Sequence, residues 1–346
     1  MALKMMDRGA LNPFLDRLIE QGEVIGIKEK KKGQFVFDKL DSAAEFTTDY
    51  VGSLLPPHKY LMPQRETLVR FGKDGTAEAE VASEDRILFG VRPCDLHAIQ
   101  IMDQIFSEDN PDVNYLAKRE RTTLVGFDCM APCDEECFCA DVGSLDIDSG
   151  FDLLFIDLGD SYAIEVGSEK GAALLVGAAA TDADEYDWTR VRAAREARRE
   201  QFPKKLDTGV YSLPLLLKGA QDSPVWERTG DKCLSCGSCT MVCPTCYCFD
   251  VQDVVDLDLT GGERVRVWDS CQLDDFAKVA GGESFREKRA DRVRHRIHRK
   301  FLYLMNKYER PVCVGCGRCA RVCLAKIKPT EIVNELVAES DPISDF

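Results

Sequence analysis

An α+β fold is what this sequence predicts: a mixed α/β N-terminal domain followed by a smaller, cysteine-rich one. Three observations carry that expectation. Short apolar runs at 86–91, 122–127, 153–158 and 162–166, set off by Gly or Asp, read as strands. Asp160–Ser161 between the last two suggests a hairpin, which favours α+β over a doubly wound parallel sheet. The 16 cysteines fall into three groups, and none lies between 140 and 232, a gap that marks a division between domains.

Along the chain, Asn12 followed by Pro13 is an N-cap and first-turn signature. Phe14, Leu15, Leu18 and Ile19 then share one helical face, and Gly22 ends the helix. The segment 185–201 reads as an exposed, charged helix that closes the first domain, with Pro203 stopping it. The boundary therefore falls near 205, giving domains 1–205 and 206–346.

Composition narrows the function. A chain of 346 residues, 45% hydrophobic and 30% charged, can bury a sizeable core. Its net charge of -15 argues against nucleic acid as a partner, because phosphate binding needs a basic footprint. The start lacks a secretory apolar region. The longest apolar stretch, 172–180, falls well short of the roughly 18 residues a membrane span requires. A cytoplasmic location follows as the expectation, and there thiols stay reduced and dense cysteines more often hold metal than pair.

The spacing of those cysteines is specific. Cys233, Cys236, Cys239 and Cys243, followed by Pro244, fit C-x2-C-x2-C-x3-C-P; Cys313, Cys316, Cys319 and Cys323 repeat it, with Leu324 in place of proline. Three thiolates at i, i+3 and i+6 wrap three corners of a [4Fe–4S] cube, while small residues (Gly237, Ser238, Gly315, Gly317) let backbone amides approach its sulfides. The fourth cysteine of each motif ligates the other cube. Cys233, Cys236, Cys239 and Cys323 are thus expected on one cluster, and Cys313, Cys316, Cys319 and Cys243 on its neighbour. A zinc site would pair two short knuckles or add histidine, and no histidine lies near either run. The second domain is therefore expected to be ferredoxin-like, with a long helical insertion at 249–312 between its motifs. Leu324 is expected to loosen the turn after Cys323.

Cys94 follows one predicted strand, and Cys129, Cys133, Cys137 and Cys139 follow another. Strand ends of one sheet can bring such loops together, so a third [4Fe–4S] cluster on Cys94, Cys129, Cys137 and Cys139 is expected, with Cys133 as a spare or substitute. Buried small apolar cysteines are the alternative. Cys246, Cys248 and Cys271 either tune the ferredoxin-type pair or combine with Cys133 in a further site. The segment 286–300 carries eight Lys/Arg against two acids. Val293, Ile297, Phe301, Leu304 and Tyr308 recur there at helical spacing, giving an amphipathic helix with a basic outer face. That face is either solvated, with His295 and His298 on the surface, or it docks an acidic partner or compensates anionic clusters. No P-loop, nucleophile elbow, H-E-x-x-H or Rossmann glycine pattern is present in the sequence, so no catalytic residue is expected.

Five segments, 54–71, 87–106, 151–171, 243–251 (CPTCYCFDV) and 268–286, together resemble the iron–sulfur beta subunit family of cytosolic sulfhydrogenases (Ni-Fe hydrogenase beta subunits). They are equally similar to the corresponding iron–sulfur subunits of anaerobic sulfite reductases, and the resemblance spans roughly 35–330. It implies a 4Fe-4S dicluster protein of an anaerobic oxidoreductase complex. Such a protein carries single electrons between a gamma subunit, which binds FAD and a [2Fe–2S] cluster and reacts with NAD(P)H, and a terminal hydrogenase, sulfite reductase or other reductase module. No flavin is then expected on this chain. A different class of function is a reductase with its own FAD or FMN in the N-terminal domain.

Overall fold

The structure, a computed structural model, describes residues 2–50 and 52–340. The N-terminal half is organised on an eight-stranded mixed sheet. In chain order its strands are β1 (Ala2–Asp7), β2 (Glu23–Lys31), β3 (Gln34–Lys39), β6 (Arg86–Val91), β7 (Thr122–Phe127), β8 (Leu153–Asp157), β9 (Ser161–Val166) and β10 (Ala180–Asp182). The intervening β4 (Arg65–Gly72) and β5 (Ala77–Ala79) belong to a second sheet. β2, β6, β7 and β8 run parallel as neighbours, and the other pairings are antiparallel. The β8–β9 hairpin expected at Asp160 is present, but it flanks a parallel block of four strands.

Alternation along these strands supplies two cores. Leu88, Leu124 and Leu154 pack with Leu96, Ile99 and Met102 of α2 (Pro93–Ser107). Their neighbours Phe89, Val125 and Phe155 turn to the opposite face, against Phe14, Leu15 and Leu18 of α1 (Leu11–Gln21). Gly22 caps α1 at its C-terminus, while Asn12 and Pro13 lie inside its first turn, so the cap is Ala10. α2 and α3 (Val113–Glu120) form the crossover from β6 to β7, which leaves both strands ending at one edge of the sheet. Beyond β9 come α4 (Glu169–Leu174) and α5 (Glu185–Arg199). α5 is not only a solvated helix: Arg198 is buried and pairs with Asp128 and Asp146, and Arg195 holds Asp128 and Glu165.

The C-terminal half packs α6 (Leu213–Gly219), α7 (Val225–Lys232), α9 (Arg289–His298) and α12 (Pro329–Glu339) around Leu213, Trp226, Ile297, Phe301 and Val333. Phe138 and Val142, from the cysteine loop of the N-terminal half, complete that core. Two short helices, α8 (Ser238–Met241) and α11 (Arg318–Arg321), follow the cysteine loops. The insertion differs from the helical expectation in its first part. It opens as a hairpin of β11 (Phe249–Val255) and β12 (Gly261–Trp268), and is helical only from α9 through a π turn at Arg299–Tyr303 to α10 (Leu304–Tyr308).

That hairpin joins the halves. β12 pairs with β4, giving a four-stranded sheet of order β11-β12-β4-β5. Arg266 of β12 is buried and pairs with Glu66 and Asp112, while Lys118 also reaches Glu66. The Trp268 indole donates to the Met62 carbonyl at 3.0 Å and stacks on buried His58. A cut near 205 would therefore separate strands that share one sheet.

Candidate metal centres

The two ferredoxin-type loops share one backbone. Gly237 (φ 74, ψ -11) and Gly317 (φ 72, ψ -11) are left-handed and start α8 and α11. Ser235 (φ 50) and Gly315 (φ 60) take matching positions two residues earlier. Each loop ends in the same turn: the Cys246 amide donates to the Cys243 carbonyl at 3.2 Å, and the Lys326 amide to the Cys323 carbonyl at 3.0 Å. The turn after Cys323 is thus as closed as its proline-bearing counterpart, which corrects the expectation that Leu324 would loosen it.

The fourth cysteines cross over. Cys233, Cys236, Cys239 and Cys323 line one cavity, and Cys243, Cys313, Cys316 and Cys319 line another. Backbone amides aim at the first set, Ser235 N–H to Cys233 Sγ and Ile327 N–H to Cys323 Sγ, both at 3.4 Å. Among the described residues, no three His, Cys, Asp or Glu side chains converge as a single metal ion requires. The thiols stand around cavity walls, the arrangement a multi-iron group needs.

Charge supports the same fit. α9 turns part of its basic surface inward: Lys300, just beyond it, is buried and donates to the Thr245 carbonyl at 2.8 Å and hydroxyl at 2.7 Å. Arg296 lies on the walls of both cavities, and its buried Nε has no hydrogen-bond partner. Burial opposes its charge, yet Cys239, Cys319, Cys243 and Cys246 hold its pKa well above the usual arginine value. A half-buried arginine that turns a buried Nε toward thiols suits an anionic, thiolate-bound group. The basic segment is therefore not simply a solvated face. His298 is fully buried, and burial pushes it and the half-buried His295 down to about 4, so neither is a surface histidine.

The third cysteine group assembles at the C-terminal ends of β6 and β7, where open sheets of parallel strands place their sites. Cys94 sits in the first turn of α2, and Cys129 lies two residues beyond β7. Cys129 and Cys133 act on each other's ionisation, as do Cys137 and Cys139, and Cys94 and Cys137 both feel the charge of Cys133. All five thiols stand together, including Cys133, which the neighbouring Cys129 lowers to about 6.

This group abuts the second motif. The Phe138 amide donates to the Gly315 carbonyl at 2.7 Å, and the Ser144 hydroxyl to the Val314 carbonyl at 2.6 Å. Buried Arg318 clamps Asp95, next to Cys94, through two bonds of 2.7 Å, and also reaches Ser53. Neither Arg318 nor Arg296 was singled out from sequence. Their one signal is position, Arg318 between two cysteines of a motif and Arg296 four residues before Lys300 on one helical face.

Residues 232–327 match the family described as 4Fe-4S dicluster domain. The chain is also 34% identical over 328 residues to Sulfhydrogenase 2 subunit beta of Pyrococcus furiosus, a match covering 93% of this chain and 95% of that protein. No solved structure matches it. The chain therefore belongs to the sulfhydrogenase beta subunit family and carries an iron–sulfur domain of the two-cluster 4Fe-4S type. Among the described residues, no helix is long and apolar enough to cross a membrane.

Proposed function

We propose that this chain is the electron-relay subunit of a multi-subunit oxidoreductase, passing single electrons between an NAD(P)H-linked flavin subunit and a terminal reductase or hydrogenase module. The observation that carries the reading is the contiguity of three thiol groups, with the second motif lying between the first and the third. In this reading Cys233, Cys236, Cys239 and Cys323 hold one [4Fe–4S] cluster and Cys243, Cys313, Cys316 and Cys319 a second. Cys94, Cys129, Cys137 and Cys139 hold a third. Such clusters supply one-electron chemistry, with potentials set by hydrogen bonds and exposure. The chain's own part is to fix the thiolates, to offset their charge with Arg296 and Lys300, and to hold the second and third sites together through Arg318 and Asp95. No side chain here moves a proton or a chemical group, and the flavin belongs to the partner.

Cys236 is the exposed ligand, and Leu234 and Leu324 beside it are 59% and 79% exposed. We assign this apolar rim as the port to a partner subunit. The deciding experiment is Cys236→Ala in the assembled complex. Loss of about four irons per chain and of electron flow, with dye-linked activity of the flavin partner retained, is expected. Unimpaired flow would overturn the relay. Cys137→Ser should remove one EPR signal and leave the ferredoxin-type pair intact.

A further inference from the structure

Cys246, Cys248 and Cys271 belong to none of the three ligand sets proposed above, yet all three line a single cavity. Local structure brings them there. The Cys246 amide closes the turn that leaves the first motif. Cys248 and Cys271 flank the base of the β11–β12 hairpin, where Phe249 pairs with Trp268 and the Asp269 amide donates to the Cys248 carbonyl at 2.9 Å. The thiols of Cys248 and Cys271 stand close enough for each to shift the other's ionisation. Cys133, the other candidate for this site from sequence, stands with Cys129 instead.

The walls declare the charge of the occupant. Arg286, Arg296, Arg299 and Lys300 line the cavity with His295, and no Asp or Glu does. Arg299 and Lys300 have protein partners in Tyr247 and Thr245. The buried Nε atoms of Arg286 and Arg296 have none. Unpaired buried donors are costly, and here two of them border a cavity that also presents three thiols. No three of these side chains converge as one metal ion needs, whereas a cube spreads its thiolates over several irons. Thiols that merely shielded the neighbouring clusters would need neither the cavity nor the cations.

We propose that Cys246, Cys248 and Cys271 hold a fourth [4Fe–4S] cluster, anionic and charge-matched by the surrounding arginines, with one iron left without a cysteine. It would lie to the side of the relay: the charge of Cys271 reaches Cys239 of the first site, and the Cys246 thiol stands beside Cys243 of the second. The inference requires the iron–sulfur character of the chain but not the third cluster.

The test is iron and acid-labile sulfide per chain, with reductive EPR, on the anaerobically purified full chain beside its Cys248→Ser, Cys271→Ser and Cys137→Ser variants. About sixteen irons are expected in the wild type and about twelve in each variant, at four per cube. Cys248→Ser and Cys271→Ser should lose the same EPR signal, different from the one lost in Cys137→Ser. Wild-type iron and signals retained in both Cys248→Ser and Cys271→Ser would overturn the proposal. Failure of the third-cluster assignment reads differently, since Cys137→Ser would then keep its iron while Cys248→Ser still loses its share. Native alkylation followed by mass spectrometry needs no variant. Protection of all three thiols supports the cluster, and labelling of any one overturns it.

Discussion

The two cysteine motifs are near copies in spacing and backbone, yet they sit in opposite surroundings. In the first, Leu234 and Cys236 are exposed and Ser238 follows Gly237. In the second, the matching Val314 is 3% exposed and Arg318 is buried against Asp95. Burial pushes the Cys316 thiol up to about 12, whereas Cys236, beside the Ser238 hydroxyl, is lowered. The same ligand geometry therefore serves two tasks. One motif opens toward solvent, and the other forms a floor on which the third cysteine group is built.

The largest test of that contrast is at the paired positions 238 and 318. Asp95→Asn leaves Arg318 buried without its counter-charge, and breaking a buried pair from one side costs about 3–5 kcal/mol. Ser238→Ala at the exposed motif should cost under about 1 kcal/mol, as a weak, partly exposed hydrogen bond does. Urea unfolding under anaerobic conditions reads both. Equal, small losses would mean that Arg318 and Asp95 do not anchor the second and third groups.

Glycine gives the next contrast. Gly237 and Gly317 are both left-handed, so alanine strains either by about 1–3 kcal/mol. A Cβ on Gly317 would also lie 2.7 Å from the Glu136 backbone, while one on Gly237 would meet only side chains, Ser270 at 3.1 Å and Leu273 at 3.7 Å. Gly317→Ala should therefore displace the loop carrying Cys137 and Cys139 and lower iron at two sites. Gly237→Ala should lower melting temperature with little iron lost from the third group. Identical iron contents in the two variants would break the comparison.

These pairs also show what was legible in the sequence. Spacing alone supplied the ferredoxin-type motifs and the crossing of Cys243 and Cys323, because ligand geometry is local to a short loop. Apolar runs set off by Gly or Asp located four strands, two of which, β6 and β7, end beside Cys94 and Cys129. The parallel order of β2, β6, β7 and β8 was not legible, since periodicity names a strand and not its neighbours. The β11–β12 hairpin was missed because FDVQDVV alternates weakly and every one of its residues is exposed. Arg296 looked like one more surface cation, as charge runs do until tertiary packing decides which members face inward.

Acid should separate the motifs too. His58 is buried and sits where Cys243, Asp95 and Arg318 act on it, on the side of the second motif. Burial lowers its pKa from 6.5 to about 4, so the folded state holds it neutral. Its contribution is full above pH 6.5 and is lost as pH falls toward 4, because the unfolded chain takes up the proton first. Melting temperature should therefore fall across that window by more in the wild type than in His58→Phe, which keeps a ring to stack on Trp268. Parallel curves for the two proteins would remove His58 from the account.

The smallest effect is expected where the motifs differ most visibly in sequence. Leu324 replaces the proline that follows Cys243 in the first motif, yet both turns close between the same positions. Proline fits the second position of such a turn, since its fixed φ suits that turn and the amide it removes is not the one that closes it. The Leu324 side chain is 79% exposed and gives up little packing when replaced. Leu324→Pro should stabilise by at most about 0.4–1 kcal/mol, through the unfolded chain, and leave iron content unchanged. Electron transfer to the partner should nevertheless weaken, because the substitution trims the apolar rim beside Cys236. Unchanged transfer, with the iron also unchanged, would move the port away from this edge and leave the first motif exposed for some other reason.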